Sequence, residues 1–207
     1  MKLSVIVLSA LIGYLLGCIQ TAYIIGKVVK KIDIRQYGTN NAGASNVTTV
    51  MGWKYGIITG AVDIFKAAAA VIILRIIFPD TQYSFFIAGA FALIGHIFPF
   101  YMGFKGGKGA ASLAGMALAI NYKIALIIII SLVILTIVTD YIAIGSIAMY
   151  VLMPIASYFF GYSMECIIIS TFLCLIGLFV HRINIKRLIS KEEVGLRAVI
   201  QKNKASS

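Results

Sequence analysis

Apolar residues run along this chain in long blocks, separated either by short polar turns or by longer segments rich in Gly, Asn and Lys. A helix needs roughly 17–25 mainly apolar residues to cross about 30 Å of hydrocarbon. Residues 3–25, 56–78, 83–100, 123–139, 142–160 and 164–180 meet that length, and a shorter block at 110–120 must extend into its flanks to span. Lipid offers no partner to an open backbone, so blocks of this kind must close their hydrogen bonds as helices. The pattern predicts an all-α integral membrane protein, a bundle of seven transmembrane helices forming one polytopic domain over residues 1–207. The first block is too long for the apolar core of a secretion signal and lacks a small-residue cleavage site before a soluble domain, so it is expected to stay as a span.

Composition agrees with the pattern: 61% of the 207 residues are hydrophobic, and mean hydropathy is +1.00, far above an ordinary globular domain. Charge adds an orientation. Of the 18 Lys and Arg residues, 14 fall in three segments that seven alternating spans place on one side. They are Lys27, Lys30, Lys31, Arg35 and Lys54 in the first long loop, Lys105 and Lys108 in a glycine-rich loop, and Arg182, Lys186, Arg187, Lys191, Arg197, Lys202 and Lys204 in the tail. Basic residues favour cytoplasmic flanks, so the N terminus is expected outside and the C terminus in the cytoplasm. The net charge of +11 sits beside apolar spans without interleaved aromatic platforms, which argues against nucleic acid and for anionic headgroups or phosphorylated substrates. Cys18, Cys166 and Cys174 lie within apolar blocks, with neither metal-ligand nor pairing spacing, and read as inert thiols.

Connections near 79–82, 121–122 and 161–163 are only long enough to turn the chain, so function is expected on the opposite, cytoplasmic face. Three segments there carry polar chemistry. Residues 38–52, GTNNAGASNVTTVMG, offer small hydroxyl and amide groups with glycines that let a backbone approach a ligand, although the same residues also make ordinary turns. Residues 95–112, GHIFPFYMGFKGGKGAAS, combine closely spaced glycines with Lys105 and Lys108, and backbone amides freed there would form a positive concavity for a phosphoryl group. The likeness to a nucleotide-binding P-loop fails, because Met102 stands where the first glycine belongs and Gly109 follows Lys108 where Ser or Thr is required. His96 reads better as packing at a helix end than as a catalyst. In residues 181–187, HRINIKR, a helix would bring His181 and Asn184 to one face while Arg182 and Lys186 reach headgroups.

Taken in order and spacing, GTNNAGASN, GHIFPFYMGFKGGKGAAS and HRINIKRL resemble the bacterial acyl-phosphate:glycerol-3-phosphate acyltransferases (PlsY), and the likeness runs from the first span to about Glu193, taking in Asp63, Lys66 and Ser146. The resemblance implies a multi-pass protein of the bacterial cell membrane, with its active site on the cytoplasmic face. It would move a fatty acyl group from acyl phosphate to the 1-hydroxyl of sn-glycerol 3-phosphate, giving lysophosphatidate, with no cofactor and no metal. Carried over, it makes Thr39, Lys108, His181 and Asn184 the catalytic candidates. Gly38, Asn41, Gly43, Ser45, Asn46, Lys105, Gly106, Gly107, Gly109, Ser146 and Arg187 become the substrate-binding candidates.

Three positions depart from the family, which usually has serine at Thr39, threonine at Ser45 and arginine at Thr49. The first two exchanges keep a hydroxyl. The third removes a bidentate phosphate donor, so weaker phosphate binding is expected, with Lys54 or Arg35 as the cations to compensate, or a divergent paralogue with an altered acceptor. The rival classes are a non-catalytic transporter or channel for an anionic solute and a structural membrane subunit. A transporter predicts basic groups through the membrane, whereas only Asp63 and Lys66 lie well inside a span, three residues apart and able to neutralise each other.

Overall fold

The computed structural model describes residues 2–205, with side chains through residue 201, so the side chains of Lys202 and Lys204 in the basic tail lie outside the described part. Every regular element among the described residues is helical. The chain runs α1 (Leu3–Gly17), α2 (Thr21–Val29), α3 (Ala44–Met51), α4 (Trp53–Ile77), α5 (Gln82–Ile97), α6 (Ala110–Ile120), α7 (Tyr122–Thr139), α8 (Ile142–Phe159), α9 (Met164–Val180), α10 (Arg182–Ile189) and α11 (Leu196–Ala205), with 3-10 turns at Ile34–Gln36 and Phe100–Met102.

Among the described residues, five helical stretches are long and apolar enough to cross a membrane: Leu3–Val29, Trp53–Ile77, Gln82–Met102, Tyr122–Thr139 and Ile142–Phe159. α9 and α10, bent by 53° where they meet, make a sixth if they are taken as one span. α6 has only 11 residues, about 16 Å at 1.5 Å per residue, which is half the hydrocarbon thickness. Large apolar side chains such as Leu11, Ile76, Val138 and Leu175 face outward, as they must where the surrounding solvent is itself apolar.

Short turns join the spans where expected. Asn121 ends α6 with its amide on the Ala117 carbonyl and starts α7 by accepting the Lys123 N–H at 2.9 Å through Oδ1. Asp140, with φ of 70°, closes α7 in the left-handed region. Two features depart from the sequence expectation. The polar segment 38–52 contains a helix of its own, α3, whose buried Val47 and Met51 pack with Ala22, Ile34, Ala42 and Met102 into a small core beneath the loop. The first block is not one continuous helix. It breaks at residues 18–20, and the freed carbonyls are met from neighbouring helices: Tyr101 Oη donates to Cys18 O at 2.7 Å, and Lys66 Nζ to Ile19 O at 2.6 Å. Gln20 returns the favour, its Nε2 donating to the His96 carbonyl at 2.9 Å.

Between lipid-bathed helices there is no hydrophobic gain from contact, so close packing of small residues carries association. α1 rests on α5 in this way, with the backbones of Gly13 and Gly17 directly over the carbonyls of Ala88 and Ala92. A Cβ at Gly17 would run into Ala92. Gly17→Leu is therefore expected to destabilise the fold by about 1–3 kcal/mol, the usual cost of overpacking. Leu11→Val, on the outward face of the same helix, should be near neutral. Thermal unfolding of both variants in detergent checks this, and equal midpoints would contradict the packing.

Candidate active site

Asp63 and Lys66 lie one helical turn apart in α4, and Lys66 Nζ contacts Asp63 Oδ1 at 2.7 Å with side-chain exposures of 1% and 2%. A buried pair of this kind persists only when the remaining donors are also satisfied. Lys66 meets that condition by bonding the Ile19 carbonyl and approaching His96 Nδ1 at 2.9 Å. His96 is thus a buried link rather than a loose cap, and the far side of its ring abuts Gly107, where a Cβ would strike Nε2. The interior of the bundle is in this way connected to the glycine-rich loop.

That loop folds back over the end of α5. Gly106 N–H donates to Ile97 O at 2.9 Å and Gly107 N–H to His96 O at 3.1 Å. The expectation that both glycine amides are free for an anion is corrected by these bonds, which satisfy carbonyls orphaned at the C-terminal end of α5. Beside these two amides stand the Lys108 ammonium and the opening turn of α6, whose first N–H groups have no partner within the helix. Gly109 has φ of +84°, a conformation that glycine adopts without the cost of a Cβ, and it is what turns the chain from Lys108 into α6.

The first polar segment reaches the loop through Ala42 N–H, which donates to Gly106 O at 3.2 Å. Within it, Asn46 is fully buried and spends its side chain on the backbone. Its Oδ1 accepts from Thr39 N at 2.7 Å, and its Nδ2 donates to Ile34 O, Tyr37 O and Asn41 O at 2.9–3.0 Å. Asn41 Nδ2 donates to Thr39 Oγ1 at 3.0 Å. Gly38 and Gly43 flank this knot, with Asn46 against the first and Asn41 against the second. Ser45 is exposed at the start of α3, and its carbonyl accepts from Thr49 Oγ1 at 3.0 Å.

The third segment meets the loop directly. Lys108 Nζ donates to Asn184 Oδ1 at 2.5 Å, and Asn184 Nδ2 donates to Glu193 Oε1 at 2.6 Å. His181 stands at the bend between α9 and α10, buried, with Nδ1 2.9 Å from the Gly177 carbonyl. A carbonyl only accepts, so Nδ1 carries hydrogen and Nε2 is the nitrogen with a lone pair to offer in the neutral ring. Between these groups stands Tyr150 of α8. Its hydroxyl donates to Lys108 O at 2.8 Å, and its ring meets His181 edge-on at 6.0 Å. Ser146 is buried one turn earlier on α8.

Lys108, Gly109, His181 and Asn184 therefore converge, with Arg187 close enough for its charge to act on Lys108. Thr39, Asn41 and Asn46 form a hydrogen-bonded knot tied to the loop through the Ala42 N–H, and Ser45 stands exposed beside it. Lys105 is exposed and faces an open pocket of about 550 Å³ lined by Asp33, Arg35, Gln36 and Asn40 as well. Arg35 is not available to stand in for an arginine at Thr49. Its guanidinium grips Asp33 at 2.7 Å and donates to the carbonyls of Met102 and Lys105 at 2.7 and 3.2 Å. The hydrogen bonds from the Arg35 guanidinium and its backbone amide hold the Asp33 carboxyl below the usual carboxylate range. Lys54 lies over the Tyr55 ring instead. Sequence reasoning missed Tyr150, an ordinary aromatic within an apolar block, and the role of Glu193, one carboxylate in a charged tail. The one signal for Glu193 is that the sequence likeness ends near it.

A helical membrane bundle with a lysine-amide-histidine cluster where a glycine loop meets a bent helix defines the class: an integral membrane protein with a polar site suited to an anion. Residues 7–191 match the family model described as glycerol-3-phosphate acyltransferase. "Glycerol-3-phosphate acyltransferase 1" of Oceanobacillus iheyensis is 42% identical over 204 residues, covering 95% of this chain and 97% of that protein. The glycerol-3-phosphate acyltransferase of Thermoanaerobacter pseudethanolicus is 38% identical over 187 residues, 90% of this chain and 93% of its own. The crystal structure of PlsY, an integral membrane glycerol 3-phosphate acyltransferase in its glycerol 3-phosphate form, superposes with a TM-score of 0.86 at 28% identity, covering 92% of this chain and 94% of that one. The chain belongs to the glycerol-3-phosphate acyltransferase family.

Burial pushes the Lys108 ammonium below the usual lysine range; the Glu193 carboxylate opposes that shift, and the Arg187 charge adds to it. Glu193→Gln keeps an oxygen for Asn184 but removes the negative charge, so Lys108 should titrate lower than in the wild type. Arg187→Gln should move it upward. The pH dependence of amine modification at Lys108, followed by mass spectrometry, checks both signs, and shifts in the reverse order would contradict the arrangement.

Proposed function

We propose that this chain is a membrane acyltransferase that moves a fatty acyl group from acyl phosphate to the 1-hydroxyl of sn-glycerol 3-phosphate, releasing phosphate and lysophosphatidate. The observation that carries the reading is the bond between Lys108 and Asn184, which joins the glycine loop to the helix that begins at His181. It is supported by family membership over residues 7–191 and by the acyltransferase activity for which the relatives are named.

An acyl phosphate is already an activated mixed anhydride, so the protein's task is to position two phosphate-bearing substrates and neutralise their charge. Lys108, with the positive end of α6 behind it, holds the phosphate of glycerol 3-phosphate. Thr39, Ser45 and the amides around them line the neighbouring wall, together with Gly38, Asn41 and Gly43. Asn184 and Glu193 keep Lys108 aimed. The 1-hydroxyl attacks the acyl carbon, the bond from that carbon to the phosphate oxygen breaks, and the hydroxyl proton passes to the departing phosphate or to Nε2 of His181. Ser146 lies toward the reacting centre, and the acyl tail runs among the spans.

The remaining features follow the same reading. The bundle has seven spans, with α6 as the short one, the N terminus outside and the C terminus in the cytoplasm. The site then opens on the cytoplasmic face of a bacterial cell membrane, where basic loop residues also meet anionic headgroups. A transporter would need charged groups along a path, whereas Asp63, Lys66 and His96 are gathered into one buried cluster by ion pairing and close contact.

Purified protein given palmitoyl phosphate and glycerol 3-phosphate is expected to form lysophosphatidate, and Lys108→Ala is expected to abolish it. No product above that control, under conditions where a related enzyme works, would remove the reading. Thr49→Arg should lower the apparent KM for glycerol 3-phosphate roughly 10- to 100-fold, the value of one charge-assisted hydrogen bond. An unchanged KM would assign that phosphate to another residue.

A further inference from the structure

A side chain from α8, outside the three polar segments, touches two of them. Tyr150 comes from the middle of α8, is fully buried, and donates its hydroxyl to the main-chain carbonyl of Lys108 at 2.8 Å. The loop is shaped around it: a Cβ at Gly109 would strike the Tyr150 hydroxyl, and one at Gly177, in α9 a turn before His181, would enter its ring. Both glycines are thus places where the chain has made room for this tyrosine. The ring also forms an edge-on contact with His181 at 6.0 Å.

A buried phenol with its hydroxyl satisfied by a carbonyl is an ordinary way to fill a core. What sets Tyr150 apart is which carbonyl it holds. Lys108 is followed by Gly109 in the left-handed region and by the start of α6, and its neighbour Gly107 is tied by its own amide to His96 O. The Tyr150 hydroxyl pins the peptide between them, so the direction in which the lysine side chain leaves the loop is set jointly by Tyr150 at its root and Asn184 at its tip.

We infer that Tyr150 is a positioning residue for the transfer, its hydroxyl fixing the Lys108 main chain so that the ammonium meets the substrate phosphate. The inference rests on the acyltransferase reading, and it acts through Lys108 rather than by contact with substrate. A positioning group of this type affects binding of the phosphate more than the number of working molecules.

Tyr150→Phe removes only the hydroxyl, and the full chain carrying it is assayed with palmitoyl phosphate and glycerol 3-phosphate beside the wild type. The apparent KM for glycerol 3-phosphate is expected to rise roughly five- to tenfold, the loss of one neutral hydrogen bond, with kcat within about threefold. A purely structural role would reduce the folded fraction, and with it kcat, while leaving KM where it was. Wild-type activity with an unchanged KM in Tyr150→Phe overturns this inference alone; a wild type that forms no lysophosphatidate overturns the acyltransferase reading and the inference with it. Failure of Tyr150→Phe to fold, in detergent and in native membranes alike, makes the hydroxyl structural and also overturns the proposal.

Discussion

The buried ion pair between Asp63 and Lys66 is the interaction on which the architecture turns. It is one contact inside α4, yet Lys66 reaches from there to the carbonyl exposed by the break in the first span and to the histidine at the end of α5. His96 in turn lies against Gly107, and its carbonyl holds the Gly107 amide. Three spans and the loop that bears Lys108 are therefore referenced to a single charged cluster. In a bundle whose outer face meets lipid, such a cluster is costly if any partner is missing, because an orphaned charge has no water to fall back on. The arrangement links stability and site geometry through the same atoms.

The first polar segment is organised on a second scheme, which uses backbone rather than charge. Asn46 knots the first polar segment by bonding its carbonyls, and Gly106 connects that segment to the loop. The result is a rim in which the amides of Thr39, Ala42, Gly106 and Gly107 are already employed, while the Lys108 ammonium and the opening turn of α6 stand beside them. A loop that looks permissive by composition is in fact well determined.

How much of this was legible in the sequence depends on the physical signal. Long apolar runs set the positions of α4, α5, α7, α8 and α9 within a few residues, because length in hydrocarbon is a strong constraint. α3 was hidden because its Ala, Ser, Asn and Thr residues serve turns equally well. The break at residues 18–20 carries no glycine or proline, and its one hint is Gln20, the lone amide in an apolar run. Lys108, His181 and Asn184 were named through resemblance to a family, and Asp63 with Lys66 through their spacing. The places of Tyr150 and Glu193 were not visible, since an aromatic in a span and an acid in a basic tail are each unremarkable until their neighbours are known. The idea of free glycine amides failed for a related reason: sequence shows which amides exist, not which carbonyls claim them.

The partnership within α4 also bears on biogenesis. Because Asp63 and Lys66 sit one turn apart on the same helix, each can neutralise the other as soon as α4 coils, before α5 has been synthesised and without help from α1. The helix can leave an insertion channel for the lipid as a nearly uncharged rod, and the lysine's remaining hydrogens are then claimed by neighbours as they dock. A charge that guides late assembly thus places little burden on the first entry into the bilayer.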